Sequence, residues 1–324
     1  MGGTSLAFYV LRALYRSGAW LFDRSGPLAP TLAQISDVAH TRLLSRSFVM
    51  NTPNPVEIAG LRIYHDGRPS YHLQMLAMGT HDRDVVSLLD TFVKPGMTVL
   101  DVGAHFGYFS LLSARLSGPE GTVWAFEPVP HVVRLLARNI EANNFGGRIH
   151  VVPRAVSNTP GRTTIYVNLA ESMTSTLYPG AATMDTPAKQ RVNAGSNRPR
   201  LRPIEVVCTS LDEWAARQNW PRVDIVKIDI EGAEEAALRG MVQMSKRNPR
   251  LKLIVEFNPK TLTAAGVSIG AFWKALQGCG FIRIWMAGPP LRLVDFPADL
   301  PRVLQEIRRL GNDRVNLLCE MSDV

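Results

Sequence analysis

Acidic side chains follow the predicted strands of this chain at the points where the strands end. Asp101 lies at the end of the first strand of an alternating strand and helix region, Glu127 closes the second strand, and Asp229 and Glu231 follow the fourth. Ligands of open α/β sheets bind at the edge where the carboxyl ends of parallel strands meet. The whole chain carries 36 basic and 28 acidic residues, a net charge of +8. A basic protein that gathers carboxylates at one edge is therefore predicted to bind a cationic ligand there.

A glycine turn, Gly103-Ala104-His105-Phe106-Gly107, follows the first of these strands. Such a turn between a strand and a helix lets a ligand approach the backbone closely. The glycine spacing of a dinucleotide fingerprint is absent, and Asp101 would repel a pyrophosphate. The same carboxylate suits the ammonium and sulfonium groups of S-adenosylmethionine. Glu127, aimed by the turn at Pro128, can accept hydrogen bonds from both ribose hydroxyls of an adenosine. This edge of the sheet therefore predicts a nucleoside site.

The fourth strand, Val223 to Ile228, runs into a cluster of ionisable residues. By the period of two, Lys227, Asp229 and Glu231 share one face of the strand. Such groups are costly to desolvate unless they are paired or used. We therefore predict Asp229 as a general base or orienting group, with Lys227 and Glu231 setting its protonation state. His105 in the glycine turn is a rival base.

Metal chemistry is the weaker interpretation of these carboxylates. Asp229, Glu231 and Glu256 could hold a divalent ion, since hard carboxylates suit magnesium. No tight ligand spacing is visible, so we predict no metal. The three cysteines form no C-x-x-C pair and are too few for a disulfide framework. This cysteine usage predicts a reducing compartment, the cytoplasm.

The elements that must position these residues alternate between strand and helix from Met97 onward. The predicted strands are Thr98–Val102, Thr122–Phe126, Ile149–Val156, Val223–Ile228, Lys252–Phe257, Phe281–Met286 and Arg314–Leu318. The predicted helices are Asp84–Phe92, Tyr108–Leu116, Pro130–Asn143, Ala233–Leu238 and Ile269–Leu276. This alternation predicts an α/β fold with a parallel sheet covered on both faces. Two β-branched stretches, Thr163–Val167 and Ile204–Val207, could extend this sheet or form a hairpin.

Two regions are predicted along the 324 residues, of which 46% are hydrophobic and 20% charged, a composition that excludes a mostly disordered chain. Residues 1–80 form an N-terminal extension, helical at first and then a strand pair at 56–64. Arg12 and Arg16 interrupt its apolar stretch, Ser5 to Phe22, and oppose a spanning helix. We expect an amphipathic helix that docks on the main domain, or else caps the substrate or contacts a membrane peripherally. Residues 81–324 form the main domain, with a basic loop at 186–203.

These motifs resemble the FkbM-type family of class I, S-adenosylmethionine-dependent methyltransferases. The resemblance rests on Leu100-Asp101-Val102-Gly103-Ala104 with Gly107 and Ser110, Glu127-Pro128, Asn139 with Asn143, Ser210-Leu211-Asp212, and Lys227 to Glu234. It implies a Rossmann-like, mostly parallel seven-stranded sheet with helices on both faces. It also implies methyl transfer to hydroxyls of small molecules, sugars, glycolipids or polyketides. The implied donor contacts are Asp101, Gly103, Ala104, Gly107, Glu127, Pro128, Ala155, Val156 and Asp229, the last also with a substrate-side role.

Three other functions stay open on the sequence. An RNA methyltransferase could use the basic loop at 186–203, which alternatively is a solvated loop. That loop contains no aromatic residue for stacking on bases, so nucleic acid is not the predicted partner. Asp101 and the missing third glycine oppose a nicotinamide-dependent oxidoreductase. A catalytically inactive binding module would bind the donor without transferring methyl groups.

Overall fold

The computed structural model describes residues 53–66, 82–168, 175–179, 201–288, 290–309 and 313–321. The predicted N-terminal helix and most of the basic loop lie outside the described residues. The strands, in chain order, are β1 (Val56–Ile58), β2 (Leu61–Ile63), β3 (Thr98–Val102), β4 (Thr122–Phe126), β5 (Ile149–Val152), β6 (Ala155–Val156), β7 (Gly161–Asn168), β8 (Leu201–Thr209), β9 (Ile225–Ile228), β10 (Lys252–Phe257), β11 (Phe281–Met286), β12 (Arg292–Val294) and β13 (Val315–Met321). The helices are α1 (Arg83–Phe92), α2 (Tyr108–Ser117), α3 (Pro130–Ala142), α4 (Leu211–Arg217), α5 (Glu234–Arg239), α6 (Val242–Arg247), α7 (Pro259–Ala264), α8 (Ile269–Gly278) and α9 (Leu300–Arg309).

The central sheet has the strand order β12-β11-β13-β10-β9-β3-β4-β5. The strands from β10 to β5 pair in parallel, whereas β13, β11 and β12 pair antiparallel. Two apolar layers cover its faces, one built on Leu100, Phe257 and Phe272 and the other on Val99, Leu112 and Ile254. The predicted fold class is confirmed. The sheet has one more strand than the predicted seven, because the short β12 pairs with β11 at the edge.

One predicted strand, 149–156, is divided in the structure. β5 ends at Val152, and Ala155 and Val156 pair with β8 in a second, three-stranded sheet of order β6-β8-β7. Pro153 lies between them, and a proline has no N–H with which to continue a ladder. The two β-branched stretches left open above form the antiparallel pair β7 and β8 of this second sheet. They do not extend the central sheet.

The predicted strand pair near residue 60 is present as β1 and β2, which are antiparallel around Ala59-Gly60. Both turn residues adopt positive φ, and glycine accommodates that conformation without strain. The side chains of Val56, Ile58, Leu61 and Ile63 are buried in the same apolar layer as α1 and α2. This hairpin therefore packs on the α/β core. None of the described helices is long and apolar enough to cross a membrane.

Candidate active site

A cleft that opens to solvent lies over the carboxyl ends of β3, β4 and β9. Most of the sequence-predicted site residues line it: Gly103, Ala104, His105, Glu127, Pro128, Ala155, Val156, Lys227, Asp229 and Glu231. Two predicted donor contacts, Asp101 and Gly107, are not on its wall. The parallel register of the strands brings these separate motifs to one edge.

Glu127 is the buried carboxylate on the β4 side of the cleft. Its Oε2 accepts the backbone N–H of His105 at 3.0 Å, and its Oε1 accepts the backbone N–H of Val129 at 2.9 Å. Burial raises the pKa of Glu127 to about 7, against the opposing effect of these two hydrogen bonds. Each carboxylate oxygen has lone-pair capacity for a further hydrogen bond. Glu127 can therefore accept hydroxyl groups of a ligand while it stays fixed by the backbone.

The glycine turn is held by backbone packing from two sides. The N–H groups of Gly103 and Ala104 both donate to the carbonyl of Phe126, at 3.1 and 3.0 Å. A Cβ on Gly103 would lie 2.0 Å from the carbonyl oxygen of Asp229. Gly107 is the N-cap of α2 and has a φ of +97°, a conformation that favours glycine. Close packing against the backbone thus requires glycine at position 103, and backbone conformation favours it at position 107, which serves the site through the turn rather than from the cleft wall.

Lys227 forms the centre of a buried charge cluster. Its Nζ lies 3.5 Å from Oδ1 of Asp101 and 3.6 Å from Oδ2 of Asp229. Asp101 and Lys227 are direct neighbours across β3 and β9, which explains their contact. Burial alone would lower the pKa of Lys227, but the charges of Asp101 and Asp229 raise it above its ordinary value. The lysine is therefore a fixed cation behind the cleft.

Asp101 lies one layer deeper than the sequence suggested. Its side chain is 1% exposed, and the hydroxyl of Ser110 donates to its Oδ2 at 2.6 Å. Its carboxylate contacts Lys227, which lines the cleft, but Asp101 itself does not line it. The burial follows from the strand, because β3 lies inside the sheet and every side chain from Val99 to Val102 is buried. Asp101 thus acts on the cleft through Lys227.

The turn after β9 carries Asp229 and Glu231 into the cleft. β9 ends at Ile228, so the period of two does not extend to Glu231, which has a φ of 53°. The carboxylate of Glu234 accepts the N–H groups of Ile230 and Gly232, at 3.0 and 2.9 Å, and fixes the turn. The hydroxyl of Thr176, from the segment between β7 and β8, donates to the carbonyl of Glu231 at 2.6 Å. Glu231 reaches the cleft through this bend and not through strand alternation.

The polar residues of the cleft wall that sequence reasoning missed include Asp82, Arg154, Thr176 and Arg314. Nη2 of Arg314 lies 2.9 Å from Asp82, and its Nη1 lies 2.7 Å from Glu256. The start of β13 lies at this edge because β13 is antiparallel to β10, with Val315 opposite Phe257. The sequence places Arg314 at the start of a strand, but it predicts a position at the cleft only if the direction of β13 is known.

Metal ligation receives no support from the described ranges, in which no three His, Cys, Asp or Glu side chains are grouped to hold an ion. Asp229, Glu231 and Glu256 were the alternative ligands considered above. Glu256 is instead engaged by Arg314, and Asp229 lies beside Lys227. The site therefore offers charge pairs and hydrogen-bond acceptors.

The family model of the Methyltransferase FkbM domain matches residues 101–283, more than half of the chain. The chain belongs to the FkbM methyltransferase family. The matched FkbM segment includes Glu127 and the Lys227 cluster, but Asp82 and Arg314 fall outside it. The family resemblance stated from the sequence is confirmed.

Relatives of this FkbM domain are found in fungi and bacteria. "Methyltransferase 1" of Beauveria bassiana is 28% identical over 151 residues, which cover 44% of this chain and 57% of that protein. "31-O-demethyl-FK506 methyltransferase FkbM" of Streptomyces tacrolimicus is 29% identical over 183 residues, 50% of this chain and 65% of that protein. The chain thus spans less than two thirds of the length of both. The crystal structure of a methyltransferase FkbM from Methylobacillus flagellatus aligns at 15% identity and a TM-score of 0.40, covering 79% of this chain and 56% of that chain.

Proposed function

We propose that this protein transfers a methyl group from S-adenosylmethionine to a hydroxyl group of a small molecule, sugar, glycolipid or polyketide. The observation that carries the proposal is Glu127, a buried carboxylate that lines the cleft beside the glycine turn of an FkbM domain. The hydroxyl acceptor is supported by the Streptomyces tacrolimicus relative, which is named a 31-O-demethyl-FK506 methyltransferase.

The residues present fit this donor by charge and by hydrogen-bonding capacity. Glu127 would accept the ribose hydroxyls, and Ala155 and Val156 would form the apolar wall beside the nucleoside. Asp229 and Glu231 add two further carboxylates to the cleft wall, and carboxylates suit a cation. When bound, S-adenosylmethionine supplies a methyl group on a positively charged sulfur that leaves as a neutral thioether.

The protein's part in the transfer is to align the acceptor hydroxyl and receive its proton. Alignment alone can contribute up to about 7–11 kcal/mol to such a displacement. We assign the orienting and proton-accepting role to Asp229, whose carboxylate is 22% exposed and held by Lys227. The new bond joins the acceptor oxygen to the methyl carbon, the sulfur–methyl bond breaks, and the hydroxyl proton passes to Asp229. His105 also lines the cleft and stays the rival base.

The donor affinity should depend on pH through Glu127. Hydroxyl donors and a nearby cation favour the ionised carboxylate, so binding should lower its pKa from about 7 and release a proton. We expect constant affinity above about pH 8 and a loss approaching tenfold per pH unit below pH 7. Isothermal titration calorimetry between pH 6 and 8.5, in buffers of different ionisation enthalpy, measures both effects. The Glu127→Gln variant is the control and should bind weakly and without this pH dependence; an unchanged slope in that variant would assign the titration to another group.

The proposed reaction is tested first on the purified protein. Mass spectrometry should detect co-purified S-adenosylmethionine or S-adenosylhomocysteine. Incubation with labelled S-adenosylmethionine and metabolite extracts should then yield a product heavier by one CH₂ group, and alkali-stable label on a small molecule would indicate an ether. Label recovered on RNA would instead support the nucleic-acid alternative, and donor binding without any transfer would support a binding module.

We also propose the cytoplasm as the site of action. Cys208, Cys279 and Cys319 are all buried and free. Unlinked thiols are typical of reducing compartments. Fractionation of cells that express the full chain would test this location and any peripheral membrane contact together.

A further inference from the structure

Two asparagines, Asn139 in α3 and Asn143 at its C-cap, belong to the motifs of the sequence resemblance, but the proposed reaction assigns them no task. Asn139 is fully buried, with 0% of its surface exposed. Its side chain lies between the β1–β2 hairpin and the glycine turn. A buried amide is costly unless each of its polar groups is bonded, so its partners indicate what it holds in place.

The two side-chain amides bond to the backbone of Arg62 in β2 and of Tyr64 just after it, as a neighbouring strand would. The N–H of Tyr64 donates to Oδ1 of Asn139 at 2.7 Å, and Nδ2 of Asn139 donates back to the carbonyl of Tyr64 at 3.0 Å. Asn143 repeats the arrangement with the N–H and carbonyl of Arg62, at 2.9 and 2.7 Å. Four residues along a helix rise about 6 Å, and two residues along a strand rise about 6.8 Å. The spacing of the two asparagines therefore matches the spacing of Arg62 and Tyr64.

Of the two asparagines, Asn139 is the one that also contacts the glycine turn. Nδ2 of Asn139 donates to the carbonyl of Phe106, in the glycine turn, at 2.8 Å. The third bond of Asn143 goes instead to the backbone carbonyl of Asn139, at 2.8 Å. Both donor hydrogens of Asn139 are thus used, one on the hairpin and one on the turn.

The glycine turn needs such external support. Gly103, His105 and Gly107 all have positive φ, and for His105 this conformation is disfavoured. The first part of the turn is held by the carbonyl of Phe126 and the carboxylate of Glu127. The far end of the turn is held by the hydrogen bond that Asn139 donates to the carbonyl of Phe106. Phe106 itself lines the cleft.

We infer that Asn139 is a positioning residue for the donor site: its amide ties the N-terminal hairpin to the glycine turn and holds the turn in the shape that binds the donor. This inference rests on the proposed function for the identity of the donor. It assigns the β1–β2 hairpin, which precedes the matched family segment, a part in donor binding. The physical basis is the single amide that bonds both elements.

The test compares Asn139→Ala with Asn143→Ala, since each variant removes two bonds to the backbone of residues 62–64 and one bond to another backbone carbonyl. Both should lower the melting temperature. Only Asn139→Ala should weaken S-adenosylmethionine and S-adenosylhomocysteine binding, by about three- to tenfold for one lost hydrogen bond. If Asn139→Ala does not fold, Asn139→Ser is compared in its place, with the same expectation.

Hydrogen exchange separates this inference from the proposed function. Without any ligand, the amides of residues 103–108 should exchange faster in Asn139→Ala than in Asn143→Ala, so this readout holds even if the wild type does not bind S-adenosylmethionine. Such a failure to bind would refute the proposed donor alone. Equal donor affinity and equal exchange in the two variants would overturn the positioning role.

Discussion

Replacing Glu127 by alanine is expected to reduce the affinity for S-adenosylmethionine by about 100- to 10,000-fold. Two hydroxyl groups bound to a carboxylate each contribute about 1.5–3 kcal/mol, and both contributions are lost together. The variant also removes the acceptor that holds the N–H groups of His105 and Val129, so the glycine turn loses a support. Calorimetric titration with S-adenosylmethionine measures the change directly.

The matched control is Glu213→Ala, outside the cleft. The carboxylate of Glu213 accepts the hydroxyl of Thr209 and pairs with Arg217, and it lies in α4. Its loss should lower stability slightly and leave donor affinity unchanged. If Glu127→Ala bound the donor as tightly as Glu213→Ala does, the ribose assignment and the donor placement would both be wrong.

Replacing Asp229 by asparagine is expected to lower kcat by about 100- to 10,000-fold while donor affinity changes only a few-fold. A positioned proton acceptor contributes a factor of this size, and an amide oxygen is a far weaker base of nearly the same shape. The substitution also leaves Lys227 with one carboxylate, Asp101, in place of two. Methyl transfer to the acceptor found in the labelled-extract experiment measures kcat, and calorimetry measures donor binding.

Asp224→Asn provides the control on the same β9 segment. Asp224 precedes β9 at its amino end, where Oδ2 accepts the N–H of Thr98 at 2.9 Å and Oδ1 accepts Nε of Arg222 at 2.8 Å. Its substitution should cost stability but not turnover. Full activity in Asp229→Asn would contradict the assigned role and leave His105 and Glu231 as the residues to test.

The sequence was sufficient to predict which edge of the sheet carries the cleft. Strand and helix alternation placed β3, β4 and β9 in one parallel sheet, and parallel strands bring their carboxyl ends to one side. Glu127 and Asp229, which follow those strands directly, accordingly line the cleft at this edge. The sequence also placed Lys227 on the same strand face as Asp229, and their charged atoms lie 3.6 Å apart.

The tertiary structure alone decided which groups complete the site. The antiparallel direction of β13 brings Arg314 to the cleft, and Asp82 joins it from the start of α1, although neither belongs to a local motif. The sequence predicted Asp101 as a ligand contact, but the pairing of β3 with β9 buries it against Lys227. Local sequence patterns determine where a strand ends and on which face of the strand each side chain lies, because both depend on neighbours in sequence. Strand direction and pairing across the sheet depend on packing between distant segments, and that packing determines the rest of the cleft.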